Sequence, residues 1–201
     1  MGQRAVDADE TEGAMRVQRG LAAIGLGMIG GYVGTKVMEP VSMKLYEWEP
    51  EADRRREDAV RPGPPYLIAA RKTAQLLGLD RGEQQLETLG TIGFHYGLGV
   101  GWGMVYPALR GTTGLHPVWA GLLTGATLSL VVDEGLTPVL GFSAPNRAYP
   151  LVTHLRGVVA HLAFGLGVAA TAELLGWLGR ALSTYAGGEV RRSPRDALGW
   201  G

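Results

Sequence analysis

The sequence predicts an all-α fold, a multi-pass membrane bundle of four transmembrane helices with one amphipathic interfacial helix, from three observations. Charges crowd into residues 1–20, 44–87 and 180–196 and are sparse between those blocks. Glycine supplies 32 of the 201 residues, about twice the usual share of roughly 7%, and it falls inside the apolar stretches, where membrane helices use it for close contact. Those stretches approach or exceed the ~20 residues that carry a helix across a bilayer.

Residues 1–18 read as a polar N-terminal tail, with Arg16 and Arg19 just before the first apolar run. Because that run continues into Lys36, Glu39 and Pro40 without a small-residue cleavage site, it reads as a span and not as a signal peptide. The first span is drawn at 21–41; its uninterrupted apolar part, Leu21 to Thr35, is only 15 residues, so the span needs the Lys36 and Glu39 turn to be buried or interfacial. A polar connection follows over 44–87. Within it Tyr66 to Leu77 has Leu67, Ala70, Ala74 and Leu77 on one helical face and is stopped by Gly78, which predicts an amphipathic helix on the membrane or against the bundle.

The second span, 89–109, contains one ionisable residue, His95. Gly93, Gly97 and Gly101 recur every four residues, a small-residue ridge that lets two helix backbones approach, so Gly97→Leu is expected to disrupt folding or assembly. Trp102, Tyr106 and Arg110 read as an interfacial end. The third span, 118–142, repeats the spacing with Gly121 and Gly125, carries the pair Asp133 and Glu134, and is broken or kinked by Pro138. The fourth, 151–178, holds His154, Arg156 and His161 in its first half and Glu173 in its second. The membrane domain thus covers 19–182, and residues 183–201 form a polar C-terminal tail. Four spans place both termini on one side. Basic residues do not separate cleanly by side, and the compact flanks at Arg16, Arg19 and Arg180 tip the termini toward the cytoplasm.

Counting depth from the loops places Lys36, Glu39, His95, Asp133, Glu134, His154, Arg156 and His161 in one half of the membrane. Charges in hydrocarbon are costly, so such groups face one another or water. Lys36 and Glu39, three residues apart, are expected to pair, and Arg156 to neutralise Asp133 or Glu134, leaving one carboxylate near His95 and His161. Three readings stay open: a salt-bridge network that fixes helix register, a proton- or ion-linked site, and a metal site built from His95, His161 and Asp133 or Glu134.

Other classes are set aside. With 19 basic and 19 acidic side chains there is no electrostatic footprint for nucleic acid. The absence of cysteine removes disulfides, thiolate metal sites and cysteine nucleophiles. Gly25, Gly27, Gly30 and Gly31 follow no strand, so they read as helix packing and not as a dinucleotide loop. No catalytic group stands out, and no cofactor is expected. The expected partners are the lipid bilayer and either a second copy or another membrane protein.

The segments GLAAIGLGMIGGYVGTKVMEP at 20–40, the diproline Pro64 and Pro65, WAGLLTGATLSLVVDEGLTPVLG at 119–141, and His161 with Leu162 together resemble the YagU-like family of small bacterial inner-membrane proteins. The resemblance covers most of residues 20–178. It implies a multi-pass location in the bacterial inner (cytoplasmic) membrane and no assigned reaction. The family pattern places a histidine where this chain has Asp133, a departure that is conservative only for proton handling and weakens a specific metal site. The expected function is therefore an inner-membrane protein with a proton- or ion-responsive polar cluster in envelope or pH homeostasis. The alternatives are a structural or partner-binding subunit that packs through glycine ridges and, as a minor one, a membrane metalloenzyme.

Overall fold

The structure, a computed structural model, describes residues 2–191, with side chains for 12–185 apart from Arg16 and Arg19. The basic flank at those two arginines and the tail from residue 192 lie outside what is described. Among the described residues every regular element is helical. α1 (Gly2–Trp48) runs for 47 residues straight through Pro40, beyond the end drawn at residue 41. The polar connection is helical as well, with α2 (Glu51–Val60) entered through Pro50 and α3 (Pro65–Leu76) begun by the diproline, whose second ring suits the first helical position.

Two long rods follow, each containing a π-helical segment. The first joins α4 (Glu83–Leu89), a π-segment at Gly90–Tyr96, α5 (Gly97–Gly103) and α6 (Val105–Thr113). The joints at Leu89, Gly97 and Met104 keep right-handed helical angles, so residues 83–113 form one rod of roughly 46 Å at 1.5 Å per residue. Gly114, at φ +65°, ends it. His116 caps the next helix by accepting from Val118 N–H at 3.4 Å, and α7 (Pro117–Leu128), a π-segment at Ser129–Leu136 and α8 (Thr137–Val139) make the third rod. The fourth is α9 (Leu151–Arg191).

Small residues set how the rods meet. Gly27 and Gly31 of α1 lie against Gly103 and Gly99, which makes α1 antiparallel to the second rod. Gly30 and Gly34 lie against Val168 and Phe164, and Gly121 and Gly125 against Gly165 and His161, so α9 runs antiparallel to both α1 and the third rod. Gly121 and Gly125 therefore form the contact their spacing predicts. Gly93, Gly97 and Gly101 do not. A Cβ at Gly93 or Gly97 would meet only atoms of its own rod, and one at Gly101 would meet nothing. The packing ridge is Gly99 and Gly103, on the opposite face, so Gly97→Leu is now expected to leave the fold intact.

The interior is built from Ala120, Ala160, Ala169, Ala172, Thr35 and Thr124, with Tyr106, Leu128, Phe164 and Val168 as its large members. The large aliphatics point outward from all four rods, among them Leu21, Ile24, Ile92, Leu98, Leu123, Leu130, Leu155 and Leu166. α1 over Glu12–Trp48 and α9 over Leu151–Tyr185 are long and apolar enough to cross a membrane. α3 lies against the bundle, where Gly90 fits under Tyr66 and Leu67. Leu67, Ala70 and Ala74 are buried as their spacing predicts, while Leu77 is exposed, because α3 ends at Leu76 and Gly78, at φ +64°, turns the chain away.

Candidate functional site

The antiparallel pairing brings one end of α1, the start of α9 and both π-segments together, and the ionisable groups of the four rods gather there in small couples. On α1, Lys36 donates to Glu39 at 3.1 Å and to the Tyr96 hydroxyl. Glu39 Oε1 accepts from the same hydroxyl at 2.6 Å and lies 3.2 Å from His95 Nε2. His95 and Tyr96 end the first π-segment, and Tyr66 of α3 packs on the His95 ring at 5.5 Å.

The second π-segment carries Asp133 and Glu134, and each meets a histidine of α9. His161 Nδ1 donates to Gly157 O at 2.8 Å and lies 3.4 Å from Asp133 Oδ2. The shorter bond places a proton on Nδ1. Asp133 keeps 43% of its side-chain surface uncovered. His154 Nδ1 lies 2.7 Å from Glu134 Oε1 and its Nε2 lies 3.1 Å from Asn146 O, so both ring nitrogens face acceptors. Asn146 also donates to Glu134 O at 2.8 Å. In an α-helix that carbonyl would bind the N–H of residue 138, which is proline and has none.

Arg156 departs from the expected arrangement. It neutralises neither Asp133 nor Glu134. Its Nη1 donates to Glu49 at 2.7 Å and its Nη2 to both oxygens of Glu57 at 2.7 and 2.8 Å. Arg61 and Thr153 also bind Glu57, and the Arg156 guanidinium lies 5.0 Å over the Tyr46 ring. Glu57 is fully enclosed and the Arg156 and Glu49 side chains are nearly so. The reason is steric: with the connection folded as α2, two carboxylates stand nearer to Arg156 than those of the third rod. Burial holds the Glu49 carboxyl above its usual range, with Arg156 opposing.

The opposite end is not an exposed interfacial belt. Tyr106 is buried and donates to Glu173 at 2.8 Å, Arg110 donates to the same carboxylate at 3.1 Å, and Trp102 donates to Thr124 O at 3.1 Å. Among the described residues no three histidine, aspartate or glutamate side chains come together to hold a metal ion. His95, His161 and the acids of the third rod are divided among separate couples, so the metal alternative has no ligand set there.

Sequence reasoning missed Glu49, Glu57, Tyr46, Tyr96 and Asn146. The available signal was Glu-Pro-Glu at 49–51, which marks a helix-to-helix corner, and an arginine in an apolar helix that has to find an anion. Compared with known proteins, the chain matches no family model, no curated protein and no solved structure, so its own residues carry the functional reading.

Proposed function

We propose that the chain is a four-span protein of the bacterial inner membrane, of the YagU-like kind, that binds and releases protons at its histidine and carboxylate couples in envelope or pH homeostasis. One observation carries the reading. Asp133 and Glu134 each face a titratable imidazole, while the permanent cation beside them, Arg156, is committed elsewhere. Support for the membrane comes from the packing, whose interior is mostly small and polar residues around Leu128, Phe164 and Val168, while many large aliphatics face outward on all four rods. The π-segments break the second and third rods into shorter α-helices, and their continuous helical backbones still supply the length. On this reading α3 is the amphipathic helix, docked on the bundle at the polar end.

Topology is the first check. Single cysteines at Ala59 and Ala144 should label from one side of a sealed vesicle, and at Thr112 and Thr184 from the other. Any other pattern removes the four-span reading. For the proton reading, liposomes enclosing a pH dye receive an acid pulse. The protein should speed acidification, and Asp133→Asn with Glu134→Gln should abolish the gain while the bundle stays folded. An unchanged rate in the double variant, or no gain from the protein itself, sinks it.

The outward ridge of Gly93, Gly97 and Gly101 favours a second reading, a subunit that associates through that face. Gly97→Leu would then reduce the oligomer without unfolding the protomer.

A further inference from the structure

Glu49 stands at the corner where α1 ends and Pro50 turns the chain into α2. Its side chain is 3% exposed, and only one of its oxygens is satisfied: Oε1 accepts from Arg156, whereas the buried Oε2 has no hydrogen-bond partner. A carboxylate oxygen removed from water without a donor is costly, and the cost is far larger when the group is ionised.

The surroundings do not offset that charge. From α1, Tyr46 offers Glu49 no donor, because its hydroxyl is committed to Asp58 and its ring lies under the Arg156 guanidinium. From α2 it is faced by Asp53 and Glu57, with Arg61 behind Glu57 and Arg54 turned to Glu47 O. From α9 it is faced by Arg156, which is shared with both oxygens of Glu57. Three carboxylates thus compete for two guanidiniums, and one of these, Arg61, is 43% exposed and screened by water.

We propose that Glu49 is a proton-operated latch: protonated, it lets α2 close on α9 through Arg156 and Glu57, and ionised, it loosens that closure. Burial, reinforced by Glu57 and Asp53 and opposed by Arg156, holds the Glu49 carboxyl above its unfolded value. A group raised in the folded state contributes stability that is complete below the unfolded value and lost as pH rises through the folded one. α2 is therefore held firmly in acid and released toward alkaline pH. Arg156 shares α9 with His154 and His161, so the latch acts on the helix that supplies two of the three couples. It requires only the fold and not the proton-carrying reading, so a failed liposome experiment leaves it standing.

Amide hydrogen exchange of residues 51–60 tests the latch on the full chain in detergent, corrected for the chemical exchange rate. In the wild type, protection should be highest below about pH 4.3, the ordinary glutamate value, fall as pH rises through the raised value of Glu49, and stay low above it. Glu49→Gln, neutral at every pH, should hold protection high and flat. Flat protection in the wild type, or a variant that follows the wild type, overturns the proposal. Should Glu49→Gln fail to fold, Asp53→Asn removes one facing anion and should move the transition to lower pH. No movement overturns the latch equally.

Discussion

Gly103→Leu is expected to unfold the bundle. A Cβ on Gly103 would run into Gly27 O and come within 2.7 Å of Gly31 N and Cα, all backbone atoms that no rotamer change can move. Overpacking a core usually costs about 1–3 kcal/mol when side chains adjust. Here two helix axes must separate, and the cost should reach at least about 3 kcal/mol, a large part of the roughly 5–15 kcal/mol that holds a native protein. Titration with a denaturing detergent, followed by circular dichroism, should show the midpoint collapse. Gly101→Leu, on the outward face of the same rod, should leave it unchanged. Equal midpoints in the two variants would mean that α1 and the second rod do not meet through these glycines.

The second large effect is expected at Arg156. Replacement by leucine leaves Glu49 and Glu57 enclosed without their shared cation, and breaking a buried pair from one side costs about 3–5 kcal/mol. Arg61 still reaches Glu57, which favours the lower half of that range. The sign of the pH dependence identifies the cause. Two stranded carboxylates regain neutrality only by taking up protons, so the deficit should shrink as pH falls. Arg156→Lys should retain part of the stability, because a single ammonium cannot reproduce the fork that holds two carboxylates at once. A leucine variant whose deficit is independent of pH would show that packing, and not charge, was lost.

These two sites also mark what was legible in the sequence. The all-helical fold, the places of the four apolar segments and the contact at Gly121 and Gly125 follow from hydrophobicity and spacing, which act along one helix. Lys36 with Glu39 was legible for the same reason, being three residues apart. The ridge of the second rod was misread because two four-residue glycine series overlap there, 93, 97, 101 and 99, 103, and sequence spacing does not say which face has a partner. Arg156 was misassigned because its anions lie in a segment rich in charge, which reads as solvated until α2 is seen folded over the helix ends. The histidine and acid couples depend on contacts between helices far apart in the chain. The π-segments depend on backbone hydrogen bonds that leave no periodic mark.

Those π-segments have a consequence for how the site tolerates change. Each one widens a turn, as a single extra residue in an α-helix does, and each lies beside the groups it aims: His95 and Tyr96 in one, Asp133 and Glu134 in the other. The bearing of these side chains is thus written in the residue count of the rod. Deleting one residue from either segment would relax it to a plain helix and re-aim the side chains it carries, while the helix beyond keeps its register. Substitution can retune this end of the molecule one group at a time, whereas a one-residue deletion would dismantle it at a stroke.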